Sequence, residues 1–399
     1  MAARDDGFLK TSAALDTATK VVILAGGLIA SLALMAIASV LPQIDHALAR
    51  GPGDHMLVKQ LVGAVALAMV VGASTVGFLI DRFGIRPVLI AAAALYALAG
   101  TAGLYLSDLH SLLVSRLFVG VSAAAIQVAC ITLINTQLEG VARARWMGLH
   151  ISVAMFTAIF AHPIAGALGE ISWRLPFGLY ALGLVLIPAA LRLQASAPDA
   201  LGSASAQAER RTLPGWFPFR YLLLAFAIGT LALMPSVQVP FLLREKGLIR
   251  PSAIALVLTA DSLAGAMMAM LYGRARTHIS AHAAFAFSFA TAAVGLFIAA
   301  LAGSIAMVIA GLLIYGLGIG WFVPNLMTAL SSRVTPVHQG RAAGIVKAAH
   351  FLSAPVAVAM VEPLARSYGP SGTLYAASGL AFGCLIVIGW RYLRQHRQQ

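Results

Sequence analysis

Charge is what this chain has least of. Only 10% of its 399 residues are Asp, Glu, Lys or Arg, whereas 60% are hydrophobic. A soluble domain carries about 25% charged residues, so the composition excludes a surface wetted by water on all sides. Acids are scarcer than bases, 14 against 27, for a formal charge of +13. On a soluble protein that surplus would point to nucleic acid. Here the bases lie in short loops between apolar runs, a pattern of membrane topology, and no nucleic-acid partner is expected. The only cysteines, Cys130 and Cys384, sit inside apolar runs. A structural disulfide is therefore not expected, and no spacing suggests a metal site or cofactor. There is no nucleophile–base pair, phosphate loop or sizeable soluble domain, so the chain does not read as an enzyme. The first 19 residues include Arg4, Asp5, Asp6, Lys10 and Asp16 and lack an apolar core. They do not read as a cleavable signal peptide, and the apolar run from Val21 is expected to persist.

What is present is apolar length. A membrane helix needs about 20 apolar residues, and twelve candidates can be placed: 21–42, 58–80, 87–107, 110–135, 147–169, 175–194, 219–243, 252–272, 281–302, 304–330, 341–364 and 372–393. The polar stretch from Gln194 to Phe217 divides them into two sets of six and reads as a linker. The expected organisation is a tail over 1–20, a six-helix bundle over 21–194, a linker over 195–218, a second bundle over 219–393 and a tail over 394–399. With the N-terminus placed in the cytoplasm, the inside loops hold most of the Lys and Arg, including Arg82, Arg86, Arg143, Arg145, Arg274, Arg276 and Arg333. This bias predicts two cytoplasmic termini and a bacterial-type inner membrane.

The two sets repeat. Gly77 corresponds to Gly273, Gly120 to Gly316 and Gly148 to Gly344, at one constant offset and at matching points of the topology. Even-numbered halves in series have parallel topology, a known transporter plan with its site between the halves near mid-membrane.

After the second span the sequence runs Gly77-Phe-Leu79-Ile-Asp81-Arg82-Phe-Gly84-Ile-Arg86. This resembles the signature loop of the major facilitator superfamily, Gly-x-Leu-x-Asp-Arg-x-Gly-Arg-Arg, at every specified position but Ile85. Span four carries Arg116-Leu-Phe-Val-Gly120, similar to the Arg-x-x-x-Gly motif of proton-linked members. The resemblance is greatest to the drug:proton antiporter branch. It implies an all-α membrane protein of twelve helices in two pseudo-symmetric bundles, a monomer working by alternating access, with Gly77, Asp81, Arg82, Gly84 and Arg86 as a gating loop. The physics of that loop is expected to be close helix approach at Gly77, a sharp reversal at Gly84 and pairing of Asp81 with a helix end or with Arg82. Span five departs from the exporter pattern Gly-Pro-x-x-Gly-Gly, reading His162-Pro163-Ile-Ala-Gly166-Ala167.

Ionisable groups inside spans cost about 2.5–3.5 kcal/mol on insertion scales and need a reason. Arg116 is expected to face the central site or a partner acid, either as a substrate or proton-linkage residue or in a structural pair with Asp45. Asp261 reads as the only acid deep within a span and is a candidate for reversible protonation. His162 and His350 are further coupling candidates, the alternative being packed, hydrogen-bonded groups, and Lys347 can snorkel. Gln127, Gln238 and Asn325 are candidate substrate contacts, with helix packing as the alternative. Phe156, Phe160, Trp321 and Phe322 could form an apolar wall or fill the bundle. The function that follows is proton-coupled movement of a small organic solute, with efflux leading. The excess of basic groups over Asp261 favours an anionic solute and supports import as the second reading. A receptor, scaffold or lipid-handling protein is the non-transport alternative.

Overall fold

A computed structural model describes residues 15–51, 53–138, 140–193, 219–334 and 336–396. The tail over 1–14, the linker over 194–218 and residues 397–399 lie outside the described residues. Among those described, ten helical stretches are long and apolar enough to cross a membrane, and Leu175–Leu191 adds a shorter one. The last stretch, within Pro336–His396, contains Gly369 at φ 65°, where the helix folds back into two rods, span eleven before Gly369 and span twelve after it. Glycine supplies the left-handed conformation that this reversal needs. Twelve crossings result, in two six-helix bundles, as the apolar lengths imply.

Span one is Thr17–Leu48, interrupted by a 3-10 turn at Ala38–Val40. Spans two to five are Asp54–Phe83, Ile85–Gly100, Leu109–Gln137 and Gly140–Ile171. Spans seven to ten are Arg220–Glu245, Pro251–Ala275, Ala281–Leu301 and Ile305–Ser331. Asp108 caps span four, accepting from the Ser111 N–H at 2.8 Å. That bond, with the Ser111 hydroxyl, holds the Asp108 carboxyl below the usual carboxylate range. "Termini face" below denotes the end of the bundle bearing the span two–three loop, and "far face" the opposite end.

Span six is built differently. Leu175–Val185 is a 3-10 helix, followed by an α-helical turn at Leu186–Leu191. With about 2.0 Å rise per residue rather than 1.5 Å, it crosses about 30 Å with few residues. Three residues per turn also stack every third side chain on one face. Phe177, Tyr180, Gly183 and Leu186 accordingly form the buried row.

The repeat is physical. A Cβ on Gly120 of span four would collide with the Val65 carbonyl oxygen and the Ala68 methyl of span two. A Cβ on Gly316 of span ten would collide with the Asp261 carbonyl oxygen and the Ala264 methyl of span eight. All three pairs of positions keep the same offset. The first span of each half is held alike as well. Gly27 packs on the backbone carbonyl of His150 and Gly229 on that of His350. Each first span also accepts a tyrosine hydroxyl, though from non-equivalent helices: Tyr96 of span three donates to the Ile29 carbonyl at 2.9 Å and Tyr315 of span ten to the Leu231 carbonyl at 2.8 Å.

Candidate functional site

The halves meet along two seams, span two against span eleven and span five against span eight. At the far face both are closed by polar contacts. Lys59 Nζ donates to Glu362 Oε2 at 3.1 Å, with both side chains over nine-tenths buried. Arg366 adds a second contact to Glu362 at 3.4 Å. Gln60 Nε2 donates to the Pro355 carbonyl at 3.0 Å. On the other seam Arg250 Nε reaches Glu170 Oε1 at 3.0 Å, and the pairing pushes the Arg250 guanidinium above its usual value. Ser252 donates to the same carboxylate, and Arg244 donates to the Pro42 carbonyl of span one. Small residues let the backbones approach here: Gly166 lies against Pro251 and Ala255, and Gly63 against Pro355.

At the termini face the same four spans carry Gly77, Gly148, Gly273 and Gly344, and a Cβ on any of them would meet nothing within 4 Å. This corrects the sequence-based expectation that Gly77 brings two helices together, since nothing packs on it in this arrangement. Gly84 does turn the chain, with φ 82°. Asp81 and Arg82 are exposed, Arg82 lying over the Phe83 ring at 5.4 Å, and Arg86 is half-buried.

Between the two ends, polar atoms lie within the protein without partners. They include His162 Nδ1 of span five, Thr230 Oγ1 and both amide atoms of Gln238 of span seven, and His350 Nδ1 of span eleven. Buried polar atoms in native proteins are paired with protein or water as a rule. Helix rise puts several at one depth. Gln238 lies about 9 Å below the Arg244–Pro42 contact, and His162 about 10 Å below Gly169, which packs on Val40. Toward the termini face, Lys347 Nζ of span eleven donates to Gln127 Oε1 of span four at 2.6 Å, across the halves. A shallower far-face cleft of about 540 Å³ holds Asp45, whose carboxylate lies 2.8 Å from His55 Nδ1.

Other expected site residues sit elsewhere. Arg116 is fully buried inside the first half. Its Nη2 donates to the Ala99 and Gly100 carbonyls at 3.1 and 2.9 Å, at the end of span three. Its guanidinium lies 4.9 Å from the Phe177 ring and 4.7 Å from the Tyr180 ring. It faces neither an acid nor the seam, and the Arg116–Asp45 pair is not formed. Helix-end carbonyls and aromatic faces take the place of the counter-ion. Asn325 accepts from the Tyr272 hydroxyl at 3.1 Å and donates to the Ala281 carbonyl at 2.9 Å, tying spans eight, nine and ten together. Trp321 donates to the Met268 carbonyl at 2.7 Å and packs on Phe287, and Phe322 packs on Phe289. These three serve the interior of the second half. Phe156 and Phe160 are 45% and 63% exposed and line an apolar groove with Leu28, Leu149 and Leu182 on the first half, not an inner wall. Asp261 is half-buried where spans eight and ten cross, accepting from the Ser262 hydroxyl at 3.1 Å.

Sequence reasoning missed Glu362. It lies near the polar end of its span, so hydropathy assigns it to the interface, yet it is 4% exposed. Its spacing from Arg366, one turn on, was the available signal.

Known proteins share this architecture. A D-xylose-proton symporter superimposes with a TM-score of 0.78 at 14% identity, covering 93% of this chain and 96% of that one. A nucleoside transporter gives 0.71 at 12% identity, covering 92% and 98%. In sequence, 118 residues are 37% identical to the tetracycline resistance protein, class G, of Vibrio anguillarum. That match spans 29% of this chain and 30% of the relative, under a third of its length. The Major Facilitator Superfamily model matches residues 23–248 and 221–399. The chain belongs to the Major Facilitator Superfamily and is a multi-pass membrane protein.

Proposed function

We propose that this transporter moves a small organic solute across a bacterial inner membrane by alternating access, coupled to protons, as a monomer with both termini in the cytoplasm. One observation carries the reading. The seams between the halves are latched by buried or bidentate charge at one end and lined by uncontacted glycines at the other, with unpartnered polar atoms between. That is the geometry of a site closed to one face. Rocking the halves would break Lys59–Glu362 and Arg250–Glu170 and bring the ends of spans two, five, eight and eleven together, so Asp81 and Arg82 would act in the opposite state. The bias of Lys and Arg to the termini face makes that face cytoplasmic.

Gln127, Lys347, Gln238 and His162 would meet the solute, and Asp261 is the proton-coupling candidate. Arg116 is a structural post. Efflux of drug-like compounds or metabolites leads, supported by the partial similarity to a tetracycline resistance protein. Import of an organic anion is the second reading, favoured by Lys347, a cation that bridges the halves to Gln127 within the membrane-spanning region.

The test is flux in proteoliposomes under an imposed pH gradient. Wild type should show solute-dependent proton movement for at least one member of a broad panel. Asp261→Asn should abolish it while keeping the melting temperature. Proton movement unchanged in Asp261→Asn would remove that residue from the coupling path, and none in wild type across the panel would end the transport reading.

A further inference from the structure

The second half holds three acids, Glu245, Asp261 and Glu362, and the spans place none of them at the termini face. That same end gathers four basic side chains around one cleft of about 200 Å³: Arg220 of span seven, Arg276 after span eight, His282 of span nine and Arg333 after span ten. Arg220 and Arg333 lie close enough to His282 to act on its charge. Among the described residues no carboxylate pairs with Arg220, Arg276 or Arg333. Arg276 spends one amino group on the Ile279 carbonyl, while its Nε is buried without a partner. Thr328 and Ser332 also line the cleft, their hydroxyls donating to the Pro324 and Ala329 carbonyls of their own helix, and Leu224, Phe285 and Ile388 give it an apolar floor.

Surface bases on a membrane protein ordinarily snorkel apart into water. These converge from four helices on one concave spot, and a guanidinium with a buried, unused N–H gains most from an anionic oxygen acceptor. The combination of converging cations, an unused buried guanidinium N–H and an apolar floor matches a phosphate group carried on a hydrophobic body. Basic pockets between membrane helices bind lipid headgroups in this way.

We propose that this cleft is a phosphate-binding site distinct from the transport pathway, formed by Arg220, Arg276, His282 and Arg333. The phosphate can come from an anionic lipid headgroup or from a soluble phosphate, and both carry the recognised chemistry. Occupancy would hold spans seven, eight, nine and ten together at one end, so a bound anion would stiffen the second half.

Purified full-length protein in neutral detergent would be titrated with short-chain phosphatidylglycerol, short-chain phosphatidylcholine and inorganic phosphate, read by thermophoresis and by melting temperature. Phosphatidylglycerol should bind more tightly than phosphatidylcholine and raise the melting temperature. Each of Arg276→Gln and Arg333→Gln should weaken it about tenfold, the loss of one charge-assisted hydrogen bond. Arg274→Gln, on the same face but outside the cleft, should leave binding unchanged. Inorganic phosphate binding as tightly as the lipid would assign the site to a soluble anion. Equal binding of the two lipids with no binding of phosphate would overturn the proposal. So would unchanged affinity in a folded Arg276→Gln/Arg333→Gln double variant, or an equal loss in Arg274→Gln. Arg333 is exposed, so its single variant keeps the test valid should the double variant fail to fold.

Discussion

The two halves share a backbone and differ in where each keeps its charge. In the first half, Gly120 rides on Val65, an apolar residue, and one turn away (about 6 Å) span four carries the buried Arg116. In the second, Gly316 rides on Asp261, and the position matching Arg116 is Leu312, buried in an ordinary core. Duplication preserved the close helix crossing while the two electrostatic features went to non-equivalent places. The first half uses its cation for internal scaffolding, holding span three against span six. The second keeps its acid at a crossing beside the seam. A helix-packing motif therefore sets geometry without fixing chemistry.

The largest effect should come from Arg116. Arg116→Leu, which copies the second half, removes two charge-assisted bonds and two ring contacts. It should destabilise the protein by about 3 kcal/mol, read as a lower midpoint in thermal unfolding. Arg116→Lys should recover little, because an ammonium on a shorter stem lacks the flat guanidinium face that lies against the Phe177 and Tyr180 rings. Near-wild-type stability in Arg116→Leu would show that the halves are interchangeable at this position after all.

A middle effect tests what the halves have in common. Gly120→Ala and Gly316→Ala each force a methyl into a carbonyl oxygen of the neighbouring span, and each should cost about 2 kcal/mol. The same unfolding measurement should give similar values. A large loss in one and none in the other would break the equivalence of the crossings.

The smallest effect sharpens it. Tyr96→Phe and Tyr315→Phe each delete one hydroxyl-to-carbonyl bond onto the first span of a half, and each should cost about 1 kcal/mol. Hydrogen exchange at the amides of residues 29–33 and 231–234 should rise in the respective variants.

The number of crossings, the division into halves and the crossing glycines were legible because apolar length and regular spacing are properties of the chain itself. Azimuth was not. A helix apolar all round carries little asymmetry to say which side faces a neighbour, so Phe156 and Trp321 were read as equivalent though one lies on an outer groove and the other is tied to Met268. Arg116 was misjudged for a related reason. A buried guanidinium suggests a carboxylate, and nothing in the sequence announces that the carbonyls at the end of the preceding span will satisfy it. Glu362 was hidden by its place near a span end, where hydropathy cannot separate a wet interface from a sealed gate.

The 3-10 winding of span six has a consequence for length. Phe177 and Tyr180 share one ridge only while three residues make a turn, and that ridge is what the Arg116 guanidinium rests against. Were Leu175–Val185 to relax to an α-helix, the ridge would spiral away from the cation and the segment would retract by about 5 Å. Span six leads directly toward the stretch that joins the halves. Arg116 thus governs the span of the bilayer that this short crossing can cover, not only the packing around it.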